Sequence, residues 1–164
     1  MTITEFPIVQ KAASYCSELI SQLPVNMTFH NLNHTTQVVE AVQEMSASLN
    51  LSREEKEIAL LAAWFHDTGF TVTYDGHEEE SARLAEEFLK NEGYEPAGIE
   101  KIKKCILATH PEHVPETLCE KVIRDADMIH LSKKSYFEQL DHLKEEQESQ
   151  FGQTISKKQW HEDN

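Results

Sequence analysis

The chain has 164 residues, 29 acidic against 15 basic, and a formal net charge of −14. That length supports one core rather than two, and the charge argues against a nucleic-acid-binding surface, since contact with a phosphate backbone needs a positive footprint. An anionic small molecule stays within reach only if metal ions supply positive charge locally.

Glycine and proline are scarce, five of each, and the segments between them carry helical periodicity, so the expected fold is all-α, a compact helical bundle forming a single domain over 1–164. In chain order the pattern predicts helices over about 7–23, 31–49, 53–67, 77–92, 96–109, 117–130 and 133–148. Ser52 with Glu55 forms a capping-box pattern at the third, and Ser132 is placed to cap the seventh. Gly69 and Gly76 bracket a short loop, and Gly93 ends the acidic fourth helix. The tail Lys157–Asn164 looks helical but stops without a capping glycine, which leaves open a chain that continues beyond Asn164 or a frayed terminus. Cys16, Cys105 and Cys119 follow no CxxC spacing and read as reduced thiols. No stretch reaches the roughly 18 apolar residues of a membrane span, and Met1–Glu5 lacks the basic start of a signal peptide. A cytoplasmic protein without a membrane partner is expected.

The third helix ends its apolar run Ile58–Phe65 on His66-Asp67. An imidazole and a carboxylate arriving together where a buried helix ends are costly to desolvate unless they bind each other or a cation. Asp127 lies four residues after Ile123, at the border of the stripe Leu118, Val122, Ile123, Ala126 and Ile129. Metal coordination would explain a carboxylate there, and pairing with Arg124 is the alternative. His30 and His34 stand four apart and share a face on a helix or its leading turn. His77 opens a helix rich in acidic residues, which is also simply a good helix start. His110 ends a helix before Pro111, where a histidine is independently favourable. Glu78 is a weaker candidate for the same pocket. His113, His130, His142 and His161 read as surface or capping residues.

Together these residues resemble a known family. The order His34, His66-Asp67, Asp127 is similar to the H…HD…D signature of the HD-domain superfamily of metal-dependent phosphohydrolases. Phe29-His30-Asn31-Leu32-Asn33-His34 resembles the YHNxxH motif of cyclic-nucleotide phosphodiesterases, Trp64–Phe70 looks like the HD-[IT]-G turn, and Arg124-Asp125-Ala126-Asp127 looks like the RDAD segment. The resemblance spans about residues 29–131. It implies that His34, His66, Asp67 and Asp127 hold a first metal, that Asp67 bridges to a second, and that His77 and His110 complete the second position. His30 matches the proton donor to the leaving oxygen, which makes His30 and Asp67 the catalytic candidates.

Mixed imidazole and carboxylate donors suit Mn, Fe, Zn or Ni, with Mg at a more oxygen-rich second position, giving one or two ions per chain. Two such ions can bind a phosphoryl oxygen and activate water for in-line displacement. The expected activity is therefore hydrolysis of a phosphoester, diester or monoester, in a nucleotide-like small molecule. Two other readings remain open: a mixed-valent di-iron oxygenase of the HD type, and a regulatory HD module that binds a nucleotide without catalysis. Phe70 departs from the family pattern, standing where members acting on cyclic dinucleotides place a lysine and where the phosphodiesterases place a histidine. Phe29, Phe70 and Tyr74 are candidate pocket residues with core packing as the alternative, and Lys101, Lys103, Lys104, Lys133 and Lys134 are candidate phosphate contacts with a solvated helix face as the alternative for most of them.

Overall fold

A computed structural model describes residues 5–164, and among them the regular structure is entirely helical. The helices are α1 (Pro7–Ile20), α2 (Leu32–Ser48), α3 (Arg53–Phe65), α4 (His77–Asn91), α5 (Pro96–Leu107), α6 (Leu118–Asp127), α7 (Tyr136–Phe151) and α8 (Lys157–Asp163). Two short 3-10 turns, Thr68–Thr71 and Met128–Ser132, follow α3 and α6. The expected all-α class holds, and the first six helices fall close to their predicted spans.

The composition of α3 sets the arrangement. Every residue from Ile58 to Phe65 is buried, so the helix is apolar all round and must be enclosed rather than lie on a surface. It is packed by α1, α2, α4, α5 and α6. Its start is held by a full capping box: the Glu55 amide donates to Ser52 Oγ at 3.2 Å and the Ser52 amide to Glu55 Oε2 at 2.8 Å, and Glu54 and Glu55 also favour the positive end of the helix dipole. Its neighbours present amphipathic faces instead, such as Val38, Val39 and Val42 of α2 and Ile99, Ile102 and Ile106 of α5. Cys16, Cys105 and Cys119 are buried and unpaired. No helix of the described residues is long and apolar enough to cross a membrane.

The last part of the chain departs from expectation in detail. Helix α6 stops at Asp127 and tightens into the 3-10 turn, and α7 begins at Tyr136 rather than near 133. Ser132 does not cap α7, because its hydroxyl donates to the Ile129 carbonyl at 2.8 Å. The tail is helical: Ser156 caps α8 through the Gln159 amide, and buried Trp160 docks it, donating from Nε1 to the Leu140 carbonyl at 2.9 Å.

Candidate metal centre

Three helix ends converge to form the site. His34 sits in the first turn of α2, where Asn31 caps the helix by accepting from the amides of Asn33 and His34. His66 and Asp67 follow α3, and Asp127 closes α6. His34 Nε2 lies 3.0 Å from Asp127 Oδ1 and 3.4 Å from Asp67 Oδ2. His66 Nε2 lies 3.1 Å from Asp67 Oδ2 and 3.4 Å from Asp127 Oδ1, and 3.5 Å from His34 Nε2. His34, His66 and Asp127 form a cluster able to hold a metal ion. Arg124 does not pair with Asp127: its guanidinium donates to the backbone carbonyls of His113 and Pro111.

The donor set suits a divalent cation, and two observations show why. His66 Nδ1 donates to the Ala63 carbonyl at 2.7 Å, which in the neutral ring leaves a lone pair on Nε2, pointing among the carboxylates. Asp67 Oδ2 is buried and has no hydrogen-bond partner despite two imidazoles nearby. Buried lone pairs facing one another repel unless something positive lies between them. A proton can serve: burial lowers the pKa of His66, but Asp67 and Asp127 outweigh burial and raise it well above the ordinary value. A divalent cation would serve all the donors at once.

Around this cluster lies a second layer. His77 opens α4, with Nε2 3.6 Å from Asp67 Oδ1 and Nδ1 3.4 Å from buried Glu78. Its position follows from Gly69: a Cβ there would sit 1.9 Å from the His77 carbonyl oxygen and 2.7 Å from the Ser81 nitrogen. Only glycine lets the turn after Asp67 press against the start of α4. Phe70 stacks on His77 with centroids 3.8 Å apart and meets His30 at a tilt with centroids 4.4 Å apart, wedging between the two imidazoles. His110 borders the same recess as His30, Phe70, Tyr74 and His77.

Glu146 of α7 is fully buried and receives four donors. Its Oε2 accepts from the amides of Phe29 and His30, both at 2.9 Å. Its Oε1 accepts from the Tyr74 hydroxyl at 3.0 Å and pairs with His30 Nδ1. Burial alone would lower the His30 pKa, but Glu146, with Asp67 and Asp127 nearby, raises it. Burial would likewise raise that of Glu146, and His30 with the two amides outweighs this and lowers it.

The sequence profile of the HD domain family matches residues 31–132, well over half of the chain. The chain belongs to the HD domain family. The HD domain also resembles the crystal structure of a predicted HD superfamily hydrolase from an uncultured Thermotogales bacterium, with a TM-score of 0.70 at 20% identity, over 99% of this chain and 90% of that one. No match is found among curated proteins.

Two expectations about this HD domain need correction. For His130 the capping reading holds and the surface reading does not: its Nδ1 lies 3.3 Å from the Asp127 carbonyl at the end of α6, while its buried ring meets Phe29 edge-on at 5.1 Å and lines the cleft beside Asp127. The α-helical period was carried past Asp127, where the 3-10 turn reorients the chain. The candidate lysines do not face the cleft. Lys101 pairs with Glu54, Lys103 with Glu86 and Glu100, and Lys133 donates to Gln37. Lys104 borders a separate recess between α3, α5 and α6, and Lys134 is exposed. Glu146 carries little mark in the sequence, because it sits in a polar run of glutamates and glutamines and lies beyond the matched span. The only signal was its spacing from Leu140 and Leu143.

Proposed function

We propose that this HD domain is a metal-dependent phosphohydrolase acting on a phosphoester of a nucleotide-like small molecule. The observation that carries this reading is the convergence of His34, His66, Asp67 and Asp127 around the partnerless Asp67 Oδ2. His34, His66, Asp67 and Asp127 would hold a first cation, with Asp67 free through its other oxygen, near His77, to share a second. His110, on the same recess as His77, is the further candidate for that second position. Bound there, divalent ions supply Lewis acidity, neutralising phosphoryl charge and acidifying water.

The chain's own residues do the rest. His30 Nδ1 is committed to Glu146, so its other nitrogen is the one that would carry the transferable proton, and Glu146, Asp67 and Asp127 raise the pKa of the ring. Glu146 also grips the backbone amides of Phe29 and His30, so the ring cannot swing away as the leaving oxygen departs.

The test is metal analysis of the purified protein followed by a screen of phosphomonoesters, phosphodiesters and nucleotides with Mn, Mg, Fe and Ni. Hydrolysis dependent on added metal is expected. Bound metal with no ester cleaved would favour a nucleotide-binding module, and an iron-loaded coloured protein that consumes oxygen would favour an oxygenase.

A further inference from the structure

Two recesses meet at the centre. One, of about 370 Å³, has Asp67 and Asp127 at its base and Phe29, Met128, Leu131 and Leu143 on its walls. The other, of about 390 Å³, is bordered by Phe70, Tyr74, Asp75 and His110. His30, His77, Glu78 and Gln147 border both. They are thus two arms of one cleft, joined where the proton donor stands beside the metal-binding cluster.

The charge lining this cleft is one-sided. Apart from the Tyr74 phenol, its ionisable side chains are carboxylates and imidazoles, with Asp67 and Asp127 in one arm, Asp75 in the other and Glu78 in both. Among the described residues lining it there is no lysine or arginine. Of the cations on the surrounding elements, Arg124 donates to the backbone carbonyls of His113 and Pro111, Lys133 to Gln37 at 2.7 Å and Lys144 to Glu148 at 2.7 Å, and exposed Lys134 borders neither arm. Apart from the His30 imidazole, whose charge is paired with Glu146, positive charge for a substrate therefore comes from bound metal. A second phosphate lying along either arm would sit unmatched among carboxylates, and in a partly buried site such an encounter weakens transition-state binding by roughly tenfold or more. A phosphate held at the junction has space on both sides. A monoester would fill one arm and leave the other to water, forgoing binding that a diester could use.

We infer that the cleft selects an acyclic phosphodiester whose two ester arms are both uncharged, the more apolar arm lying against Leu143 and Leu131, and that it discriminates against molecules carrying a second anionic group. This rests on the phosphohydrolase reading above.

The experiment compares kcat/KM of the manganese-loaded protein for four probes: thymidine 5′-(p-nitrophenyl phosphate), p-nitrophenyl phosphate, adenosine triphosphate and a cyclic dinucleotide. The first should be preferred at least tenfold over each of the others. Gln147→Lys, which puts a cation where the two arms join, should narrow the gap to the triphosphate about tenfold. Leu143→Ser should raise KM for the diester with little change in kcat. Preference for the monoester, the triphosphate or the cyclic dinucleotide would overturn the inference while leaving the phosphohydrolase reading intact, as would a Gln147→Lys enzyme with an unchanged ratio. Metal-loaded protein that cleaves none of the four, and no ester in the wider screen, would sink both.

Discussion

Glu146→Ala removes the one acceptor shared by four donors in a site with no solvent to replace it. The amides of Phe29 and His30, the Tyr74 hydroxyl and His30 Nδ1 all lose their partner together. Breaking a buried charged pair by deleting one side costs about 3–5 kcal/mol, which for a chain of this size lowers Tm by roughly 6–20 °C. Glu146→Gln should cost less, because one oxygen can still accept the two amides while the new amide group opposes His30 Nδ1–H. The assay is thermal unfolding of metal-free protein across a pH series. Glu146 has a lowered pKa, so its share of stability is present above the ordinary carboxyl value and is lost as pH falls through its folded value. His30 has a raised pKa, so its share is present below the ordinary imidazole value and is lost as pH rises through its folded value. The Tm gap between wild type and Glu146→Gln should therefore be widest between about pH 4.3 and 6.5 and shrink on either side. An alanine variant melting within about 2 °C of wild type would refute the pairing, which predicts at least three times that.

Asp67→Ala should abolish both metal retention and turnover, and normal metal content in that variant would mean the ligand assignment is wrong. His30→Gln should lower turnover by about 10²–10⁴-fold while sparing bound metal; loss of metal instead would make His30 a ligand rather than a proton donor. Gly69→Ala should destabilise the fold and weaken metal binding together, since the added Cβ would meet the His77 carbonyl oxygen at 1.9 Å. A variant as stable and as metal-bound as wild type would show that the turn can move off α4 at no cost.

The helices around α3 were legible because burial is written into them as period. The run Ile58–Phe65 and the stripe through Ile123 and Ala126 announce which faces are inside, and residues out of place on those faces, Asp67 and Asp127 above all, announce themselves by contrast. His34 and His77 needed the joint pattern, because a histidine alone at a helix start carries little information. Where the backbone left the α-helical period the reading failed: the 3-10 turn at Met128–Ser132 turned His130 inward. Glu146 was hidden for another reason. Its neighbours Glu145, Gln147 and Glu148 have the same polarity, so the one fully buried glutamate among them leaves no contrast, and it grips Phe29 and His30, more than a hundred residues away.

That separation divides the molecule into two kinds of structure. The His34, His66, Asp67 and Asp127 cluster is built from ends of helices packed in the main core, whereas the grip on His30 comes from α7, which packs on α8 and the 3-10 turn Met128–Ser132 and is otherwise held by hydrogen bonds to the segment before α2 and to Tyr74. Elements with so little core attachment open locally at lower free energy than the body they cover. A brief lifting of α7 would release the proton donor and widen one arm of the cleft while leaving the metal-binding groups in place, so amides of α7 should exchange with solvent deuterium well ahead of those in α3.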